Sequence, residues 1–270
     1  MKIFLVHSNI NVEELIMKKM LGMLLCIGLV VGLSGCGKNN PGDPTSVAAP
    51  TALTLAVAGA DSLSLKLTWT ASTDTATGYI VYLNDEVLDT VTACEYTHQP
   101  TELGDYEVKA YIGGTISDAA EKSSAIETAT NEGPVYIVPS PLGPSGYGWA
   151  SDGTGAEYSL GADGSRQNTD KVDFVLDVDS TLTSPSTFDT EFAHSTGIAY
   201  DISYSYDNLA QAPITGYATY EGLVDGATYV LWLQNKYYAK MQITTGTESG
   251  TLKITFKYGF QKIAGFRLLK

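Results

Sequence analysis

The chain has little of what covalent and catalytic chemistry usually needs. It holds three cysteines, at positions 26, 36 and 94, and three histidines, at 7, 98 and 194. Cys26 lies inside an apolar run and Cys36 closes it, so Cys94 stands alone in the remainder and no intrachain disulfide is available there. Such a thiol is expected to behave as a small, buried apolar side chain. No Gly-x-Ser-x-Gly, His-Glu-x-x-His, Gly-x-x-x-x-Gly-Lys-Ser/Thr or Cys-x-x-Cys signature occurs. A Ser-His-Asp site could draw only on His194. Its neighbour Ser195 points the other way in extended chain, so His194 reads as an exposed loop residue. These absences argue against an enzyme, and no cofactor is expected.

Positive charge is also scarce. There are 16 Lys and Arg against 30 Asp and Glu, and removing residues 1–35 leaves 13 against 28. A field of that sign repels phosphate backbones and anionic membrane surfaces. Nucleic acid is therefore not an expected partner, and membrane attachment must be covalent or apolar. The apolar run Met20–Leu33 has 14 uncharged residues, short of the roughly 20 that a spanning helix needs. No amphipathic helix longer than about two turns is legible.

What is present begins with that run. Lys18 and Lys19 precede it as the positive end of a signal peptide, and Leu33-Ser34-Gly35-Cys36 follows. These four residues resemble a bacterial lipobox. The resemblance implies a diacylglycerol on the sulfur of Cys36, removal of the leader 1–35, and acylation of the new N-terminus. One acyl chain attaches marginally and two or more hold stably. Residues 1–16 carry Glu13 and Glu14 ahead of the lysines, which does not suit a leader, so translation is expected to start at Met17. Gly37 replaces the aspartate that marks inner-membrane retention in that family. This implies the outer membrane and leaves its face open. Residues 36–49, rich in Pro, Gly, Asn, Ser and Ala, read as a flexible tether.

From residue 50 the texture is that of strands. "SLSLKLTWT" alternates with Leu63, Leu65, Leu67 and Trp69 on one face, and "GYIVYLNDEVL" turns at Asn84-Asp85. "DYEVKAYIGGTIS" sets Tyr106, Val108 and Ala110 together and breaks at Gly113-Gly114. Trp69, Gly78-Tyr79 with Tyr82, and "LGDYEVKA" (103–110) resemble a fibronectin type III domain over residues 50–129. That resemblance implies an Ig-like sandwich in which Tyr106 is a tyrosine corner, its hydroxyl bonding backbone upstream. There is no Arg-Gly-Asp tripeptide.

Residues 130–270 read as a second antiparallel β-domain, so the whole is expected to be all-β. Asp-Gly turns at 152–153 and 163–164 bracket a strand "AEYSL". "KVDFVLDVDSTLTS" reads as a half-buried strand with Val172, Phe174, Leu176 and Val178 inward and Asp173, Asp177 and Asp179 outward. "AYDISYSYD", "TYVLWL", "NKYYAKMQI" and "GTLKITFKY" give further strands, the last two joined by "TGTESG". This order resembles the C-terminal domain of Bacteroides-type surface lipoproteins, distantly including HmuY-type haem-binding proteins. Haem ligation by two histidines within one domain is excluded here, because His98 and His194 fall in different modules.

Two candidate sites emerge. Asp177 and Asp179 are close enough to share one cation, calcium being the candidate. Trp149, Tyr147 and the pair Tyr237-Tyr238 lie in or beside turns, where exposed rings can stack on sugars. The expected function is a non-enzymatic, lipid-anchored binding protein of the cell envelope, for glycans or a partner envelope protein. The alternative is a structural spacer without a small ligand.

Overall fold

The computed structural model describes residues 45–160 and 167–270. The leader 1–35, Cys36, most of the tether and the Asp-Gly turn at 163–164 lie outside the described residues.

Seven strands form the first sandwich: Thr51–Ala58 (β1), Ser64–Thr70 (β2), Gly78–Leu83 (β3), Glu86–Val91 (β4), Glu95–His98 (β5), Asp105–Ile112 (β6) and Thr115–Ser123 (β7). They make two antiparallel sheets, β1-β2-β5 and β4-β3-β6-β7. Period-2 alternation sends Leu65, Leu67 and Trp69 of β2 into one core with Tyr79, Val81 and Leu83 of β3 and Tyr106, Val108 and Ala110 of β6. Asn84 and Asp85, at φ 50° and 66°, make the two-residue turn between β3 and β4. Left-handed backbone at both positions matches the strand twist, and Asn and Asp tolerate it. The Asn84 side chain accepts the Asp105 N–H at 3.0 Å. It occupies the space a Cβ on Gly104 would need, which is how the short loop after Leu103 closes. Cys94 is half-buried against this core beside Tyr79.

Tyr106 departs from the expected corner. Its hydroxyl shares a 2.9 Å hydrogen bond with Nδ1 of His98 instead of reaching backbone. Strand β5 ends at His98, directly across the sandwich, and presents a better-placed partner than the upstream chain. Burial lowers the pKa of His98, so the imidazole is kept neutral for this bond.

The remaining strands are Glu127–Thr130 (β8), Val135–Tyr136 (β9), Gly146–Trp149 (β10), Gly155–Tyr158 (β11), Phe174–Asp177 (β12), Thr181–Thr183 (β13), Gly197–Tyr200 (β14), Tyr220–Gly222 (β15), Thr228–Trp232 (β16), Tyr238–Glu248 (β17) and Thr251–Gln261 (β18). A single helical turn, Pro185–Phe188 (α1), follows β13. One sheet runs β11-β10-β12-β13-β15. The other runs β14-β16-β17-β18-β8, with β9 also on β18. An aromatic core lies between them, built from Tyr147, Trp149, Phe174, Phe256, Tyr258 and Phe260 among others.

Three expectations change here. The strand through "VDFVLDV" is short and buried on both faces: Phe174 and Leu176 enter the main core, and Val172 and Val175 pack with Leu160 and Phe192. It ends at Asp177, and Val178 is 57% exposed in the turn that follows. "AYDISYSYD" is a strand only to Tyr200, after which the chain runs irregularly. The final hairpin turns on Ser249-Gly250 alone, because β17 continues through "TGTE".

The two sandwiches are tied twice. Strand β8, which straddles the boundary expected at 129/130, hydrogen-bonds to β18 of the second. After β18 the chain returns, and Ile263, Phe266 and Leu268 enter the first core. Arg267 adds bonds to the carbonyls of Asp61 and Ala212. Residues Pro44–Lys270 form one compact unit.

Candidate binding site: an aromatic cleft

Strands β14, β16 and β17 lie side by side, with Gly197, Trp232 and Tyr238 in register across them. Tyr229, Leu231 and Leu233 point into the core. Alternation therefore turns Trp232 to the opposite face. The irregular chain after Tyr200 covers much of that face, where Ala199, Val230 and Tyr238 pack with Tyr204, Leu209 and Tyr217. The cover stops short of Trp232, which is 45% exposed.

Gly197 permits a close approach. A Cβ there would lie 2.8 Å from Cβ of Tyr217. Without it, the Tyr217 ring lies over the strand and reaches Trp232, with centroids 5.8 Å apart. On the other side Tyr238 stacks parallel to Trp232 at 6.4 Å. The Tyr217 hydroxyl donates to the Pro213 carbonyl at 3.0 Å, which fixes the ring. Burial raises the pKa of Tyr217 and Tyr238, and nearby Arg267 pulls both partly back. Both phenols stay neutral.

The cleft lined by Tyr217 and Trp232 has a volume of about 410 Å³. Ser195, Thr219 and Gln234 contribute its polar rim. The Ser195 N–H donates to Oε1 of Gln234 at 3.0 Å, which orients the amide. Among the described residues its NH2 group has no protein partner. No lining residue carries a charge.

The residues singled out from sequence fare differently. Trp149 and Tyr147 are 6% and 1% exposed and pack edge-to-face, 5.0 Å apart, inside the core. Their faces are closed to any sugar, because β10 is a central strand rather than a turn. Tyr237 is half-buried against Phe260 at 5.2 Å. Tyr238 is 8% exposed and backs Trp232. The exposed ring sits across the hairpin at Trp232: strand parity sets it on the face away from the core, and the cover after Tyr200 leaves it open.

Asp177 and Asp179 belong to the β12–β13 turn. Asp177 accepts the Val178 N–H at 2.7 Å. Among the described residues no three carboxylate, histidine or cysteine side chains gather as a metal site. Asp173 does not share their face. It is 3% exposed and accepts the Trp149 N–H at 2.8 Å. His194 is not a free loop residue either: its Nδ1 lies 3.7 Å from Asp173, which raises the imidazole pKa. The irregular backbone before β12 folds Asp173 inward, and a buried carboxylate needs donors and a cation.

The chain is an all-β, two-sandwich protein with an aromatic cleft on its second sandwich. No family model matches the chain, and no curated protein does. Among solved structures it is similar to a DUF4466 family protein from Parabacteroides merdae ATCC 43184, at 11% identity and a TM-score of 0.35, over 81% of this chain and 95% of that one.

Proposed function

We infer that the chain is a lipid-anchored, non-enzymatic binding protein of the bacterial cell envelope, and that the Trp232 cleft is its binding surface. The cleft carries the reading. Tryptophan and tyrosine concentrate at recognition surfaces, and this one has aromatic walls, oriented polar groups and a volume within the range of ligand sites. The fibronectin type III-like reading of the first sandwich is supported by the β1-β2-β5 and β4-β3-β6-β7 orders and by the buried Trp69. In that arrangement the first sandwich and the tether hold the cleft off the membrane, on its periplasmic or outer face.

Lipidation at Cys36 is tested by labelled palmitate in the native host. The wild-type chain is expected to take label and sediment with outer membranes, and Cys36→Ser is expected to lose the label and become soluble. Equal label in both sinks the anchor. A spacer role is the second reading, favoured by the insertion of Ile263, Phe266 and Leu268 into the first core, which joins the two sandwiches in one compact unit. A Trp232→Ala strain indistinguishable from wild type in all binding assays would favour the spacer.

A further inference from the structure

We propose that the Trp232 cleft binds a neutral oligosaccharide, with one pyranose ring stacked on the exposed indole. The inference rests on the binding-protein reading above and names its ligand. Three observations select this chemistry.

The first is the ring itself. Trp232 is 45% exposed and lines the cleft, held in place by Tyr238, near-parallel at 14°, and Tyr217, tilted at 51°. An aromatic face carries partial negative charge. The C–H groups on the flat side of a pyranose present the complementary partial positive charge.

The second is the rim. A sugar has hydroxyls around the edge of that apolar face, each both donor and acceptor. Ser195, Thr219 and Gln234 supply hydroxyl and amide groups beside the indole. The Gln234 amide is oriented by the Ser195 N–H before any ligand arrives, so little ordering is required on binding.

The third is charge. The chain carries a formal net charge of −14, yet no side chain lining the cleft is ionised. A charged saccharide would find no counter-charge there and would meet the acidic field of the whole protein. A neutral one meets neither penalty. An apolar peptide would leave the oriented amide and hydroxyls unpaired, which costs affinity.

Gly197 is then a specificity-determining position. Any side chain there displaces Tyr217 and narrows the platform.

The test is calorimetric titration of the full mature chain, in a detergent without a sugar headgroup. The probes are maltohexaose, cellohexaose, laminarihexaose and an oligogalacturonate. At least one neutral hexasaccharide is expected to bind and the acidic one is not. Trp232→Ala is expected to weaken binding about tenfold or more, the loss of about one stacking contact. Trp232→Tyr is expected to restore most of it, and Gly197→Ala to weaken it. Tyr220→Ala, removing an exposed ring on the other sheet, is expected to change nothing. Equal binding by Trp232→Ala, or preference for the acidic probe, overturns the proposal. A photo-crosslinking residue at position 234 in intact cells separates the two levels of inference. A protein cross-link that depends on Trp232, without saccharide binding, overturns the sugar and leaves the binding surface standing. Neither cross-link nor saccharide binding overturns both.

Discussion

Trp149→Ala is expected to destabilise the protein by about 3–5 kcal/mol while leaving the Trp232 cleft formed in the molecules that remain folded. The indole sits among Tyr147, Phe174, Tyr258 and Phe260, with ring centroids 5.0, 6.0, 5.6 and 6.3 Å away. Removing it leaves a cavity where aromatic rings from both sheets meet, and neighbouring strands pinned by their ladders collapse into it only in part. For a unit of this size each kcal/mol lowers the Tm by about 2–4 °C, so the loss is roughly 6–20 °C. Trp149→Phe is expected to cost much less. The Nε1 of Trp149 is buried without a partner, and phenylalanine removes that orphaned donor along with part of the volume. Denaturant unfolding of the three proteins checks this. A Trp149→Ala protein as stable as wild type would mean the ring is not in the core.

Alkaline titration is expected to give a stability profile that rises from about pH 8 and falls above about pH 10. Two kinds of buried group set it. Lys240 is 4% exposed, and its Nζ donates to the Tyr206 carbonyl at 2.8 Å. Burial lowers its pKa from the usual 10.5 to about 8. Between those values the unfolded chain holds a proton that the folded protein has released, so stability rises with pH. The gain is up to about 3 kcal/mol, the shift converted at 1.36 kcal/mol per unit. The tyrosines act in the opposite sense. Tyr106, Tyr147 and Tyr229 are buried, and desolvation holds their pKa values above 10, that of Tyr229 at about 12. Below pH 10 both states keep these protons and nothing is lost. Above it the unfolded chain ionises first and stability falls, by about 1.4 kcal/mol per tyrosine at pH 11. Lys240→Met is expected to abolish the rise and keep the fall. Denaturant midpoints from pH 7.5 to 11, with phenolate absorbance followed in parallel, provide the check. A rise that survives Lys240→Met would refute the assignment.

Much of the β-architecture was legible because strands announce themselves locally. "SLKLTWT" alternates, and Leu65, Leu67 and Trp69 are buried as alternation requires. Asn84-Asp85 is a turn pair whose φ values are both positive, as a two-residue hairpin needs. The cleft was half legible. Tyr238 does not line it but stacks against Trp232, which does. Tyr147 and Trp149 were misplaced for a specific reason. They sit between glycines and next to Asp152-Gly153, which reads as loop. Yet a Cβ on Gly148 would lie 1.9 Å from the Lys171 carbonyl oxygen, and one on Gly146 would crowd Leu160 and Val172 at 3.0 Å. Those glycines serve close packing in a central strand rather than a turn.

The sequence by itself determined the all-β class, the hairpin turns and the acidic, cysteine-poor character. Each follows from local rules: side-chain alternation, left-handed backbone tolerance, and counts of ionisable groups. Only the tertiary structure decided which aromatics are seen by solvent. Exposure depends on what the irregular chain after Tyr200 covers and where that cover stops, and on the absence of a Cβ at Gly197 that lets Tyr217 reach Trp232. Both are contacts between segments distant in sequence, and periodicity within a strand carries no information about them.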